Sequence, residues 1–312
     1  MSTWAASTSR VRKSLKRILA FDLGGTRLKV GAVNVADGQV ESLRTEDVVG
    51  GLDGALAMLG DFGHGILKDT ECQGTALCVP GLVGEDGIIL SLPGKLDGIE
   101  GFDLPGLLES QFSLPAMVVN DAIAYGSGEA FYGAGKSFER CVIVTIGTGV
   151  GVTVLQEGRP IATGIFGGGI LGGQIPISER TSGHADTSGQ HDTIEALCCA
   201  ARIVDYANEE GGSYKSVPEV YEGFEKDDKA ARAGIKTYQN HLARGLAALA
   251  HAHTPDVIVL GGGPMTKDNP ILPGVEEMTN ARLFGTYRTT LAVAALGDSA
   301  ALSGLARIHS AK

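Results

Sequence analysis

Two glycine-turn hairpins, set far apart along the chain, constrain its fold more than any other feature. The first runs Ile18-Leu-Ala-Phe-Asp-Leu-Gly-Gly-Thr into Arg27-Leu-Lys-Val-Gly-Ala-Val-Asn-Val, then through Ala36-Asp-Gly-Gln. The second runs Cys141-Val-Ile-Val-Thr-Ile into Gly147-Thr-Gly-Val-Gly and Val152-Thr-Val-Leu, then through Glu157-Gly-Arg. Each reads as strand, glycine turn, alternating strand and polar turn. Their separation is too long for a solenoid repeat. The pattern therefore implies a duplicated unit whose two turns face each other across a cleft, where backbone N–H groups from both sides can grip one polyphosphate.

The rest of the chain fits such a unit. Leu52–Leu67 and Leu104–Phe112 have helical apolar spacing, and Gly74–Val79 reads as a strand between them. Ala230–Ala252 reads as a long helix leading into a buried strand, Val257-Ile-Val-Leu, that enters Gly261-Gly-Gly-Pro. Strand and helix alternate, so the class is α/β. With 312 residues, 43% of them hydrophobic, two moderate cores are expected rather than one. The 46 glycines include pairs and triplets set between apolar runs, which marks turns and not a low-complexity linker.

The formal charge of −10 argues against broad attraction to nucleic acid or to an anionic membrane. No apolar run reaches the ~20 residues that a membrane span needs. The five cysteines, Cys72, Cys78, Cys141, Cys198 and Cys199, include no CxxC pair, which points to buried free thiols in a reducing, cytoplasmic compartment. Residues 1–17 are basic but lack an apolar core, so they read as a flexible extension and not as a secretory signal.

Asp22 ends an apolar strand beside Gly24, Gly25 and Thr26. A carboxylate there can hold Mg2+ through water while the glycines admit phosphate, or it can simply open a turn. Asn120-Asp121 follows the strand Ala116-Met-Val-Val and precedes a helix over Ala122–Phe131. Asp121 reads either as a helix cap or as a general base for a hydroxyl that attacks a γ-phosphate. Gly147, Thr148, Gly149 and Gly151 offer amides and a hydroxyl to phosphate. Gly261, Gly262 and Gly263 would let a base or ribose pack on backbone.

In this order the motifs resemble the ROK family of bacterial sugar kinases and related repressors, from Ile18 onward. The matching segments are Asp22-Leu-Gly-Gly-Thr-Arg27, Asn120-Asp121, Gly147-Thr-Gly-Val-Gly and Val259-Leu-Gly-Gly-Gly-Pro. The resemblance implies the actin-like ATPase fold, a duplicated RNase H-like arrangement with two lobes around a nucleotide cleft. The first lobe would span 18–120 with the C-terminal helix of 297–312, and the second 121–296. It also implies Mg-ATP as phosphate donor, Asp121 as base, and Asn120, Gly81 and Glu195 on the side of the sugar acceptor.

There are departures from the family pattern. The Glu and His of its sugar-contacting segment are replaced by Leu171 and Gln174, and its cysteine-rich zinc motif by Ser188-Gly-Gln-His-Asp-Thr-Ile-Glu195, so no zinc site is expected. Gln174 is the acceptor-side candidate of that segment. Glu195 reads as a ligand for sugar hydroxyls or as a helix-first-turn carboxylate. Lys95 occupies a position near an expected Asn and either reads an anionic group on the substrate or sits in solvent. His184 and His191 could bind metal with Asp186 or Asp192, or lie in a solvated loop.

A formal GxGxxG at Gly167–Gly172 is followed by Pro176 and lies in no βαβ unit, which disfavours a dinucleotide fold. The rival within the family is a catalytically weak or inactive sugar or nucleotide-binding protein. A repressor role is disfavoured because the stretch before the first strand is too short for a helix-turn-helix. The partners expected are therefore a small sugar, no nucleic acid and no membrane, with a homodimer compatible with the sequence.

Overall fold

The computed structural model describes residues 16–92, 96–161, 171–179 and 183–311. The expected extension over 1–17 thus lies outside the described residues up to residue 15. Strands β1 (Arg17–Leu23), β2 (Arg27–Asn34) and β3 (Val40–Asp47) form a meander followed by α1 (Gly51–Leu67) and β4 (Thr75–Val79). A small hairpin of β5 (Leu82–Val83) and β6 (Ile89–Ser91) comes next, then α2 (Leu104–Phe112), β7 (Ala116–Asn120) and α3 (Asp121–Phe131).

A second meander follows, of β8 (Arg140–Ile146), β9 (Val150–Gln156) and β10 (Arg159–Pro160). Then come α4 (Ile194–Cys198), α5 (Ala200–Glu209), α6 (Val217–Glu225) and α7 (Lys229–His253). The chain ends with β11 (Val257–Gly261), α8 (Leu272–Asn280), β12 (Thr290–Val293) and α9 (Ala300–Ala311).

The duplication is explicit in the sheets. The first has the order β3-β2-β1-β4-β7 and the second β10-β9-β8-β11-β12. In each, the meander is antiparallel and the last two strands run parallel to the first strand of the unit. Parallel central strands must be covered on both faces, and β1 shows it. Leu19, Phe21 and Leu23 pack with residues of α1 and α2, while Ile18 and Ala20 pack with Ala301, Leu302 and Leu305 of α9.

Helices α3 and α9 lie between the sheets. Ala124 joins the cluster of the first sheet, and Ala130 joins the cluster formed by Cys141, Ile143, Val257 and Val259 of the second. The two helices touch backbone to backbone. A Cβ on Gly304 would lie 1.7 Å from the Ala124 carbonyl oxygen and 2.6 Å from the Gly128 nitrogen. Neither neighbour is a flexible side chain, so Gly304→Ala is expected to lower stability by about 2 kcal/mol. A thermal melt checks this; an unchanged midpoint would mean that the helices separate at no cost. Among the described residues no helix is long and apolar enough to cross a membrane.

Candidate active site

Strand direction assembles the site. Because β4 and β7 run parallel to β1, the first glycine turn, Gly81 and Asn120-Asp121 emerge at one sheet edge. Because β11 runs parallel to β8, Gly147–Gly149 and Gly261–Gly263 emerge together at the corresponding edge of the second sheet. Ligands of open α/β sheets bind at such carboxyl ends. The two units also place a left-handed glycine at equivalent points after β4 and β11: Gly81 has φ 90° and Gly262 has φ 98°. Neither position tolerates a Cβ, which would lie 2.3 Å from Ser91 O at Gly81 and 2.0 Å from Ile146 O at Gly262.

The cap of α3 is Asn120, not Asp121. The Asn120 side-chain oxygen accepts from Ala122 N at 2.9 Å and Ile123 N at 3.2 Å, and its amide nitrogen donates to Gly81 O at 2.7 Å. Asn120, expected on the acceptor side, spends both ends of its amide on shaping the site. Asp121 is the first residue of the helix, half-buried, with its Oδ1 also accepting from Ala122 N at 2.8 Å. The second unit reaches the next residue: Thr153 Oγ1 donates to Ala122 O at 2.7 Å, and a Cβ on Gly151 would lie 2.8 Å from Ala122 Cβ.

Asp22 is paired in register with Cys78, and the Cys78 thiol donates to Asp22 Oδ1 at 3.4 Å. Burial pushes the Asp22 carboxyl above its usual value, while Lys29, 3.9 Å from Oδ2, and the Cys78 thiol oppose the shift. Lys29 is also 2.9 Å from Asp298 Oδ1. The Cys78 thiol is held well above its ordinary pKa by burial and then by the charges of Asp22 and Asp121, with Lys29 opposing.

In the first glycine turn Gly24 N donates to Arg27 O at 2.8 Å, while Gly25, Thr26 and Arg27 are exposed. Arg27 Nε is paired with Asp47 Oδ1 at 3.2 Å. No glycine of either phosphate turn has a positive φ. At Gly149 close approach is the reason for glycine. A Cβ on Gly149 would lie 2.5 Å from Glu195 Oε2, whereas one on Gly147 or Gly263 would meet nothing within 4 Å.

Glu195, buried at 6% exposure on α4, accepts from Val150 N at 2.9 Å through Oε2, and from Thr187 N at 2.8 Å and Thr187 Oγ1 at 2.6 Å through Oε1. Gly147 N donates to Gly149 O at 2.9 Å. The amides of Thr148 and Gly149 remain the uncommitted donors of the second turn among the described residues. Gln174 ends a short 3-10 turn, Gly172–Gln174, whose Gly173 lies against Val150 O and the Glu195 side chain. Gln174 follows directly on the residue that lies against the Glu195 side chain.

Beside Gly263 opens a cavity of about 520 Å³ with mostly apolar walls, among them Val217, Pro218, Tyr221 and Pro264. Tyr221 is fixed there by its hydroxyl donating to Pro264 O at 2.9 Å. Ala200, also in the wall, donates its N–H to Gly147 O at 2.9 Å, so the cavity adjoins the second glycine turn.

Lys95 and Gly167–Ile170 lie outside the described residues. His184 and His191 are joined by His191 Nδ1 against His184 O at 2.9 Å, and His184 Nε2 is 3.3 Å from Glu209 Oε1. Sequence reasoning missed the capping role of Asn120 and the link from Glu195 to Val150. The Asn-Asp pair directly after a strand was the signal for the first.

A profile of the ROK family matches residues 18–312. A β-glucoside kinase of Listeria innocua is 26% identical over 290 residues, covering 92% of this chain and 95% of its own length. A glucokinase of Thermotoga maritima is 27% identical over 314 residues, covering 94% and 96%. Among solved structures, a ROK hexokinase from Thermus thermophilus superposes with a TM-score of 0.79 at 25% identity, covering 93% of this chain and 97% of its own.

Proposed function

The chain belongs to the ROK family and has its two-lobed actin-like fold, and on that premise we propose that it is a carbohydrate kinase transferring the γ-phosphoryl group of ATP to a hydroxyl of a hexose-like sugar. The observation that carries the reading is the position of Asp121. It stands at the first turn of α3, with the cap delegated to Asn120, and β9 of the second glycine hairpin abuts the next residue.

In this reading the purine occupies the cavity walled by Tyr221 and Pro218, and the phosphates run toward the Thr148 and Gly149 amides. The open space over Gly147 and Gly263 supports that path, because nothing in the protein itself demands glycine there. The sugar lies between Asp121 and the Gln174–Glu195 region. Asp121 accepts the hydroxyl proton as the new O–P bond forms, while the bond from the γ-phosphorus to the bridging oxygen breaks and ADP departs.

Asp22 fits Mg2+ held through water. It is a partly desolvated carboxylate beside the first glycine turn, and Mg2+ commonly uses one or two carboxylates with waters and substrate phosphates. Bound there, the ion would supply charge neutralisation for the phosphates.

A coupled assay of ATP consumption over neutral hexoses, amino sugars, N-acetyl sugars and sugar acids tests the reading. Sugar-dependent turnover with at least one class is expected, and it should vanish when Mg2+ is chelated. Turnover on none of them would overturn it.

A further inference from the structure

We propose that Asp186 and Thr187 are positioning residues for the second phosphate turn, acting through Glu195; the inference rests on the kinase reading above. The chain of contacts is continuous. Asp186, 8% exposed, folds the loop ahead of α4 around its carboxylate. Its Oδ1 accepts from Ser188 N at 2.9 Å, Ser188 Oγ at 2.7 Å and Gln190 N at 2.9 Å, and its Oδ2 accepts from Thr193 Oγ1 at 2.9 Å. Burial by itself would raise the Asp186 carboxyl, but these donors outweigh it and hold the group below its ordinary value. A carboxylate so fully engaged has little capacity left for a ligand, and its effect is to fix the loop.

The loop delivers Thr187 to Glu195. Backbone N–H and hydroxyl of Thr187 both donate to Oε1, which directs Oε2 at Val150 N. Thr193, held by Asp186, also caps α4 by accepting from Ala196 N at 3.1 Å, so the helix that carries Glu195 is anchored by the same carboxylate.

Position matters here because Glu195 is an anion beside a turn that receives an anion. Pinned between Thr187 and Val150, its charge is spent on three donors and it orders the turn. Without the Thr187 hydroxyl, Oε1 loses its shortest bond. The carboxylate is then free to swing along the turn, where it repels phosphate and releases Val150 N.

Thr187→Val and Asp186→Asn are compared with Thr187→Ser, which keeps the hydroxyl. Calorimetry with the non-hydrolysable analogue AMPPNP and Mg2+ is expected to show affinity about tenfold weaker for the first two variants, the loss of one charge-assisted hydrogen bond, and rescue by Ser. Hydrogen exchange of peptides covering Ile146–Val152 is expected to accelerate in Thr187→Val and Asp186→Asn without nucleotide, and to return to the parental rate in Thr187→Ser. Parental exchange and affinity in both Thr187→Val and Asp186→Asn would overturn the proposal. If the parent protein binds no AMPPNP, the kinase reading fails instead, and the exchange comparison in the nucleotide-free protein still decides whether the relay orders the turn.

Discussion

Asp121→Asn is expected to lower kcat by about 10²–10⁴-fold, the usual contribution of a positioned general base. The substitution keeps the shape of the side chain and an oxygen able to accept from Ala122 N, as Asp121 Oδ1 does at 2.8 Å. It removes the capacity to take a proton. Because the α3 cap is supplied by Asn120, the melting temperature is expected to stay within a few degrees of the parent. The KM for ATP is expected to change little, since the residue acts on the acceptor. Steady-state kinetics with a saturating sugar separates the cases: unchanged kcat would show that Asp121 is not the base, and a large rise in the ATP KM alone would place it on the nucleotide side.

The largest effect on stability is expected from Glu129→Ala. Glu129 is fully buried in the last turn of α3, and its carboxylate accepts from Ala134 N at 3.0 Å, Ala295 N at 2.9 Å and Leu296 N at 2.7 Å. It thereby ties the helix between the sheets to the segment that leads from β12 into α9. Removing it leaves three backbone donors without their buried carboxylate partner and opens a cavity where the side chain stood. With about 1 kcal/mol for each half-buried amide that loses its partner, and the cavity left by a fully buried side chain, a loss of about 3 kcal/mol is expected. Denaturant unfolding measures it. A cost below about 1 kcal/mol would show that water or a local shift satisfies the three amides.

Much of this architecture is legible in the sequence because its strongest signals are local. A glycine turn between two apolar strands announces itself whatever surrounds it, and the helix expected over Ala230–Ala252 is α7 with one residue more at each end. The strand entering Gly261–Gly263 is β11. What escaped notice depends on contacts between distant segments. Glu129 was visible only as one charge in a helix otherwise rich in Ala, Gly and Ser. Two of its three partners lie 166 and 167 residues away.

The same holds at the site. Asn120 could be linked to Gly81 only once β4 and β7 were known to be parallel neighbours. Glu195 could be read as a sugar ligand or as a first-turn helix residue, and neither reading contains Val150 or Thr187. Asp186 could be read as a metal ligand beside His184 or as part of a solvated loop, and neither reading contains the serine, threonine and glutamine donors that organise that loop around its carboxylate. Helix α6 was not anticipated. Its wall of the cavity places Tyr221 beside Gly263, so the glycine run was identified before the pocket it borders.

The central claim is phosphoryl transfer to a sugar hydroxyl, and its most direct test is the identity of the product. Phosphorus NMR of the wild-type protein with Mg-ATP and its best acceptor should show a sugar phosphate resonance growing in step with ADP, with little inorganic phosphate. ADP accompanied only by inorganic phosphate, or ATP left intact with every acceptor class, would contradict the account.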